Sequence, residues 1–476
     1  MDPPVPALQE RADRSAAVLC GADSVRLVSH DDADGLTSAA IARTALEWAE
    51  VPVTTEIKHD LDEPAIDELA TGSEDVVLLT DLGSGGLDRL AHHADRGRFT
   101  PVVVDHHQPV DATIEQHLNP VDVGLDGGRE LAGAGAAYVL ARAIADRVEP
   151  ESDPRTLASL AVVGAVGDRQ TEDGELVGAN RAIAEEGEAA GAVEIGTDLA
   201  LYGTQTRPLP KLLEYTWEIR IPGITGSRRG AIEFLQSLPK PVRDGDRWPT
   251  WAELDADTRQ QIVSGLIARA IDRGVPAERV ERLVGTRYIL PREKPGTQLR
   301  DASEFATVLN ATARYERSEV GLAVCRGDRD GALETALQLL REHRKHLSAG
   351  IEFVEKTGVN REAHVQWFHA GREIRATIVG IVAGMVLGSK GIDRQRPIVG
   401  FATKDDEAGI KVSARAPNRL SGRGIDLSVA MREAAASVGG EGGGHAMAAG
   451  ATVPEGTEPA FVEAIDGLIG SQLDNG

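Results

Sequence analysis

The run Val25-Arg26-Leu27-Val28-Ser29-His30-Asp31-Asp32-Ala33-Asp34-Gly35 sets the architecture of this chain. Val25–Val28 reads as a buried strand, the acidic stretch as its C-terminal turn, and Thr37–Glu50 as a helix opened by a polar cap. Two further runs repeat the opening of that unit. Val76-Val77-Leu78-Leu79 leads to Asp81, and Val102-Val103-Val104 leads to Asp105-His106-His107. Near-continuous valine and leucine runs suit strands covered on both faces. With helical segments such as Leu87–Arg96 between them, they predict an α/β fold built on a parallel sheet. In open sheets of this kind, loops at the carboxyl ends of the strands assemble the site.

Three such loops rich in Asp and His predict a metal centre. Carboxylates suit hard cations, and imidazole beside them selects Mn, Zn or Fe over Ca. His30, Asp32 and Asp34 alternate, so a short extended segment can aim them at two adjacent cations. Asp-x-Asp before Gly is, taken alone, equally a turn signal. Asp81 ends its strand where it can bridge two cations or cap a helix. Asp105-His106-His107 is harder to explain by packing, coming directly after a buried valine run. Asp168 follows the apolar segment Leu157–Val166 and adds another carboxylate. Asp32, Asp34, Asp81 and Asp168 together carry four negative charges, which two divalent cations neutralise. Without cations they repel one another and their pKa values rise. The balance predicts a two-cation centre suited to activating water against a phosphate. His92-His93 read as a solvated helix end, and His59 and His117 lack comparable context. Gly83-Ser84-Gly85-Gly86 fits a phosphate cradle or a plain strand-to-helix turn.

At 476 residues the chain is long enough for two or three domains. Its two cysteines form no disulfide framework or zinc cluster. The N-terminus lacks the basic and apolar regions of a signal peptide, and the longest apolar run, Ala376–Gly388, is too short and Gly-rich to span a bilayer. No membrane partner and a cytoplasmic location are expected. The net charge is −24, and nine lysines stand against 42 arginines. This acid-rich, lysine-poor make-up reads as a halophilic surface, on which global charge says little about the ligand. Phosphate binding would then rest on local arginines and on metal, since salt weakens the general electrostatic term.

The texture divides the chain at about residues 195, 330 and 361. Residues 1–195 alternate strand and helix signals. Residues 196–330, punctuated by proline and anchored by Tyr215, Trp217, Trp248 and Trp251, read as an inserted, mostly helical module. Residues 331–361 read as a connector built on the amphipathic helix Leu333–Leu347, and residues 362–476 as a smaller α/β domain. That last domain holds a helix over Ile374–Gly388, strands at Pro397–Ala402 and Gly409–Arg415, and the stretch Gly439-Gly440-Glu441-Gly442-Gly443-Gly444-His445. Gly442, Gly443 and Gly444 allow backbone N–H groups close to a ligand, and His445 adds a donor; the plain alternative is a Gly-rich turn. Ser413 and Arg415 offer a hydroxyl and a guanidinium to phosphate.

Taken together, these strings resemble the DHH phosphoesterase superfamily, and the C-terminal GGGH segment resembles its DHHA1 substrate-binding domain. Looser matches in the middle, at Ala200–Pro208, Ile221–Gly226 and Arg300–Asn310, resemble the archaeal RecJ-like nucleases. The resemblance implies a parallel-sheet DHH catalytic domain over 1–195 and a DHHA1 domain over 362–476. It implies His30, Asp32, Asp34, Asp81, His106 and Asp168 as ligands of two Mn2+ or Mg2+ ions, Mn2+ first, with Asp81 bridging. Asp105 would orient an imidazole from outside the ligand set, and His107 would contact the scissile phosphate. Ser413, Arg415 and His445 would hold substrate phosphates, Arg415 also stabilising charge during the reaction. Asp31 falls between the family positions and outside the ligand set. The implied activity is exonucleolytic hydrolysis of single-stranded DNA or RNA in replication or repair, the strand threading between the two end domains. GINS and the replicative helicase are the implied partners. Polarity and the choice between DNA and RNA stay open at this point. Two rival readings are a small-substrate phosphoesterase acting on short oligonucleotides, cyclic dinucleotides or phosphoadenosine phosphate, which needs only the two end domains, and a catalytically silent replisome scaffold, against which the intact ligand positions count.

Overall fold

The computed structural model describes residues 3–475 except 217, 218, 244, 390, 405–408, 418, 419, 421 and 423. The Trp217 anchor lies outside the described residues. The chain forms two compact units, residues 1–337 and 338–476.

The first unit is built on a parallel sheet of β1 (Val25–His30), β2 (Val53–Lys58), β3 (Val76–Thr80), β4 (Thr100–Val104) and β5 (Gln116–Leu118), in the order β2-β1-β3-β4-β5. The three apolar runs quoted above are the three central strands. β3 is buried along its whole length, whereas the edge strand β2 (VTTEIK) is half-buried and polar. Parallel register sets Val25 beside both Val53 and Val76, so β1, β2 and β3 end at the same level. The helix after β1 runs Ala33–Trp48 and starts four residues before the expected Thr37. Asp32 caps it by accepting from the backbone N–H groups of Asp34 and Gly35. The Ala- and Gly-rich helices Gly133–Val148 and Ala158–Gly167 pack on it closely, their small residues permitting the approach.

Beyond a short hairpin of β6 (Thr171–Glu172) and β7 (Glu175–Leu176), an antiparallel pair frames the insertion: β8 (Glu194–Leu199) and β9 (Val284–Ile289). Helices Leu209–Glu214, Arg228–Gln236 and Ala256–Asp272 enclose their own core of Leu209, Leu213, Phe234, Trp251, Ile262 and Leu266. The helices Ala302–Arg314 and Ser318–Cys325 differ from the expectation of one insertion over 196–330. They pack on Ala158–Gly167 and Ala33–Trp48, because Phe305, Val308 and Leu309 form an apolar stripe that the first domain covers. Helix Gly331–Thr357 is longer than the connector expected over Leu333–Leu347.

The second unit carries a six-stranded sheet of β10 (Asn360–Arg361), β11 (Gln366–His369), β12 (Ile398–Thr403), β13 (Ile410–Arg415), β14 (Glu441–His445) and β15 (Ala448–Val453). Its order is β10-β11-β12-β13-β15-β14, and only β11 and β12 run parallel. The expected Ile374–Gly388 helix is confined to Val379–Val386, while Ile374 and Ile378 feed the same apolar cluster from the preceding turns. The GGEGGGH stretch is not the Gly-rich turn that stood as the plain alternative: its residues Glu441–His445 form the edge strand β14, paired antiparallel with β15. Glycine is needed there because a Cβ on Gly442 would lie 2.7 Å from the Met431 carbonyl oxygen. Among the described residues no helix is long and apolar enough to cross a membrane.

Candidate metal centre

The carboxyl ends of β1, β3 and β4 bring five of the six expected ligands together, and the end of helix Ala158–Gly167 supplies Asp168. His30 closes β1, and its Nδ1 lies 3.3 Å from Asp32 and 3.5 Å from Asp81. Asp34 is buried against the N-terminus of helix Gly133–Val148, where Gly133 N–H (2.7 Å) and Ala134 N–H (2.9 Å) donate to its two oxygens. Asp81 follows β3 with φ +58°, a left-handed conformation uncommon outside glycine. That turn presents one carboxylate oxygen to His30 and places the other 3.2 Å from His106 Nε2. Asp34 and Asp168 each stand 3.8 Å from the same Nε2.

Two donor sets hold the six expected ligands, His30/Asp32/Asp81 and Asp34/His106/Asp168, each with its ligand atoms within 4.8 Å of one another; Asp81/Asp105/His106/His107 and His30/Asp31/His59 meet the same spacing. Asp81 reaches both sets of expected ligands. A cation pair fits this arrangement on a specific ground: His30 Nδ1 and Asp81 Oδ1 are buried yet have no hydrogen-bond partner. Such orphaned atoms cost free energy unless something binds them. Space is also reserved, since a Cβ on Gly133 would fall 2.6 Å from Asp81 Oδ1, and one on Gly164 would fall 2.4 Å from Asp34 Oδ1.

The electrostatics agree. Burial, with Asp81 beside it, pushes Asp34 well above the carboxylate range, and burial raises Asp168 as well. Burial alone would lower His30, but the Asp32 and Asp81 carboxylates lift it to about 12. His106 is raised in the same way by Asp81, Asp34 and Asp168. Asp32 is held low in spite of burial by His30. Protons therefore stand where cations would.

Around these groups lie partners without which they would swing free. His106 Nδ1–H donates to the Gly127 carbonyl at 2.7 Å, which fixes the tautomer and leaves Nε2 facing the carboxylates. Gln170 Nε2 donates to Asp168 and to Gly127 O, both at 2.8 Å, and is itself held by Asn180. Asn310 accepts from Ala33 N–H at the start of helix Ala33–Trp48. Sequence reasoning gave no role to Gly127, Gln170, Asn180 or Asn310; Gln170, two residues past Asp168, and Asn310, the end of the Arg300–Asn310 match, lay near a signal. Asp105 is buried beside the centre, with a carboxylate oxygen within 4.8 Å of ligand atoms of Asp81, His106 and His107. It accepts from His107 Nδ1 at 2.8 Å and from Ser84 N–H at 2.9 Å, and these donors with His106 keep it ionised despite burial. His107 itself is half-exposed. Ser84 thus spends its backbone donor on Asp105, and after a left-handed Gly83 the residues Ser84–Gly86 form one turn of 3-10 helix. His59 and Asp31, set aside on sequence, lie at the rim: His59 Nδ1 is 3.1 Å from Asp31, and its ring stacks at 6.2 Å on His30. His93 is occupied by Asp67 at 2.8 Å.

In the second unit, antiparallel register aligns Ser413 with Gly450 and Gly443, and Arg415 with Ala448 and His445. Alternation then puts Ser413, Arg415, Gly443 and His445 on one face of the sheet, with Gly442 and Gly444 on the other. Helix Val379–Val386 crosses that first face: a Cβ on Gly380 would meet Arg415 Nη2 at 2.6 Å and Ser413 Oγ at 2.9 Å.

Three family models match the chain: the DHH family N-terminal domain over residues 24–165, the DHH-CID domain over 201–284 and the DHHA1 domain over 362–471. An uncharacterized protein of Methanocaldococcus jannaschii is 29% identical over 458 residues, 94% of each chain. Among solved structures, the Mn2+ complex of RecJ from Thermus thermophilus is similar with a TM-score of 0.60 at 19% identity; 97% of this chain is covered but only 55% of that one. CDC45 from Entamoeba histolytica is similar over 97% of both chains, with a TM-score of 0.63 at 11% identity. The chain therefore spans just over half the length of that RecJ. With a DHH domain holding the acidic centre and a DHHA1 domain after it, the chain belongs to the DHH superfamily and has a RecJ-like fold.

Proposed function

We propose that this chain is a metal-dependent exonuclease that hydrolyses phosphodiester bonds of single-stranded DNA or RNA. The observation that carries the reading is the pair of orphaned, buried ligand atoms, His30 Nδ1 and Asp81 Oδ1, inside a cluster of four carboxylates and two imidazoles. A fold kept only as a scaffold has no need to hold such a cluster together. Two Mn2+ or Mg2+ ions would be held by His30, Asp32, Asp34, Asp81, His106 and Asp168, and would supply Lewis acidity toward the phosphate and the attacking water. The chain's own contributions are separate. Asp105 fixes His107 so that its Nε2 edge meets a phosphate oxygen at the open side of the centre. Gly127 O and Gln170 hold His106 and Asp168 at their angles. In the second unit, Ser413, Arg415 and His445 would grip further phosphates, with Gly443 leaving backbone open beside them. A DHH-CID domain over 201–284, beyond the two end domains, favours a strand over a small phosphoester. Replication or repair as the setting, GINS and the replicative helicase as partners, and a halophilic archaeal cytoplasm belong to the same proposal.

The test is digestion of end-labelled DNA and RNA 20-mers and of dinucleotides with Mn2+ at molar KCl. Stepwise shortening of the 20-mers supports the reading. Turnover of dinucleotides alone overturns it in favour of the small-substrate phosphoesterase, and no turnover with bound Mn2+ favours the scaffold.

A further inference from the structure

We propose that His117 is a positioning residue for the Asp105–His107 pair, acting through Ser84 and Asn119. The inference rests on the reading of His107 as a phosphate contact. His117 sits on β5, 4% exposed, and no feature of the sequence singled it out. Its two ring nitrogens join two parts of one hydrogen-bond chain. Nδ1 lies 2.8 Å from Asp122, which also pairs with Arg11 of helix Gln9–Cys20 at 3.1 Å. Nε2 lies 3.2 Å from Ser84 Oγ. From Ser84 the chain forks: its N–H donates to Asp105 at 2.9 Å, while its hydroxyl oxygen accepts from Asn119 Nδ2 at 2.9 Å. The same Asn119 amide donates to the His107 carbonyl at 2.9 Å.

Donors and acceptors agree along the whole chain. Asn119 Oδ1 accepts from Val121 N–H, which fixes the amide so that Nδ2 faces Ser84 and His107. Ser84 Oγ, already accepting from Asn119, gives its own proton to His117 Nε2. That leaves Nδ1–H to donate to Asp122, so His117 is the neutral Nδ1 tautomer. The charged groups facing it are Asp122, Asp105 and Arg11, and burial holds the imidazole below its ordinary value against the two carboxylates. The network therefore needs an acceptor at Nε2, which a protonated or apolar residue there does not offer. Ser84, Asp105 and Asn119 are all fully buried, so no water stands in for a lost partner without rearrangement.

Steady-state hydrolysis of a single-stranded oligonucleotide at saturating Mn2+ by the full chain tests this in His117→Phe, His117→Gln and Ser84→Ala. Phe fills the ring's volume without an acceptor, and Gln restores an acceptor toward Ser84. The expected result is a kcat roughly 10- to 100-fold lower in His117→Phe and Ser84→Ala, with KM and Mn2+ stoichiometry unchanged and most of the loss recovered by Gln. If His117→Phe does not fold, Ser84→Ala decides alone, since it removes one hydroxyl and keeps the backbone bond to Asp105. A kcat within twofold of the parent in a folded Phe or Ala variant overturns the proposal. Should the parent chain cleave no strand, the functional reading fails instead, and selective 15N-histidine labelling still decides the positioning. The hydrogen-bonded Nδ1–H resonance of His107 then shifts or broadens in Ser84→Ala, whereas an unchanged resonance overturns the proposal.

Discussion

Asp81 concentrates the chemistry of the centre in one side chain. Its left-handed backbone costs on the order of 1 kcal/mol, which the surrounding structure sustains in order to face His30 and His106 at once. Asp81→Asn keeps the shape and removes the charge, so Mn2+-dependent hydrolysis should fall by roughly 100-fold or more in a kinetic assay of the folded variant. Gly133→Ala should weaken Mn2+ binding by roughly 10- to 100-fold, because the new methyl would press on Asp81 Oδ1. Gly85→Ala is the control, having no atom within 4 Å of its would-be Cβ. The pH dependence has a definite sign. His30, His106, Asp34 and Asp168 are all raised, so the metal-free centre holds protons that cations must displace. Mn2+ binding should release protons, and its apparent affinity should fall as the pH drops from 8 to 6. Calorimetry in buffers of different ionisation enthalpy measures this, and binding with no proton release would contradict it.

At the scale of elements, the centre is a property of strand ends held by helix ends. Gln170 follows the helix that ends at Gly167 and ties Asp168 to the Gly127 carbonyl that also holds His106. Gln170→Leu should lower Mn2+ affinity by roughly 10- to 100-fold with little change in melting temperature, as measured by titration and calorimetry. The central strands β1, β3 and β4 were legible because strands buried on both faces are written as near-continuous apolar runs. β2 and β5 were not, being half-polar or only three residues long. The acidic and imidazole residues at those strand ends could be named from spacing, but their supports could not. Gly133 meets Asp34 across 99 residues of chain, and Asn310 meets Ala33 across 277. Local pattern carries no record of such pairings. The strand in the GGEGGGH stretch was hidden for a related reason: Gly442 answers a tight approach to helix Leu427–Ser437, and Gly440 and Gly444 answer one to β15, contacts that composition alone does not record.

Over the whole molecule, a net charge of −24 sets a self-repulsion that salt relieves. We expect the melting temperature to rise by several degrees between 0.1 M and molar KCl, at roughly 2–4 °C per kcal/mol of relieved repulsion; a flat or falling curve would contradict the halophilic reading. That acidity surrounds a centre whose four carboxylates are tolerable together only with compensating cations, and the fold places them there at the cost of two buried atoms that make no hydrogen bond. The most direct test is the Mn2+ stoichiometry of the full chain by equilibrium dialysis at high salt, beside Asp81→Asn. Two tightly bound ions per chain are expected, with the loss of at least one in the variant. Fewer than two in the parent, or a variant that binds as the parent does, would contradict it.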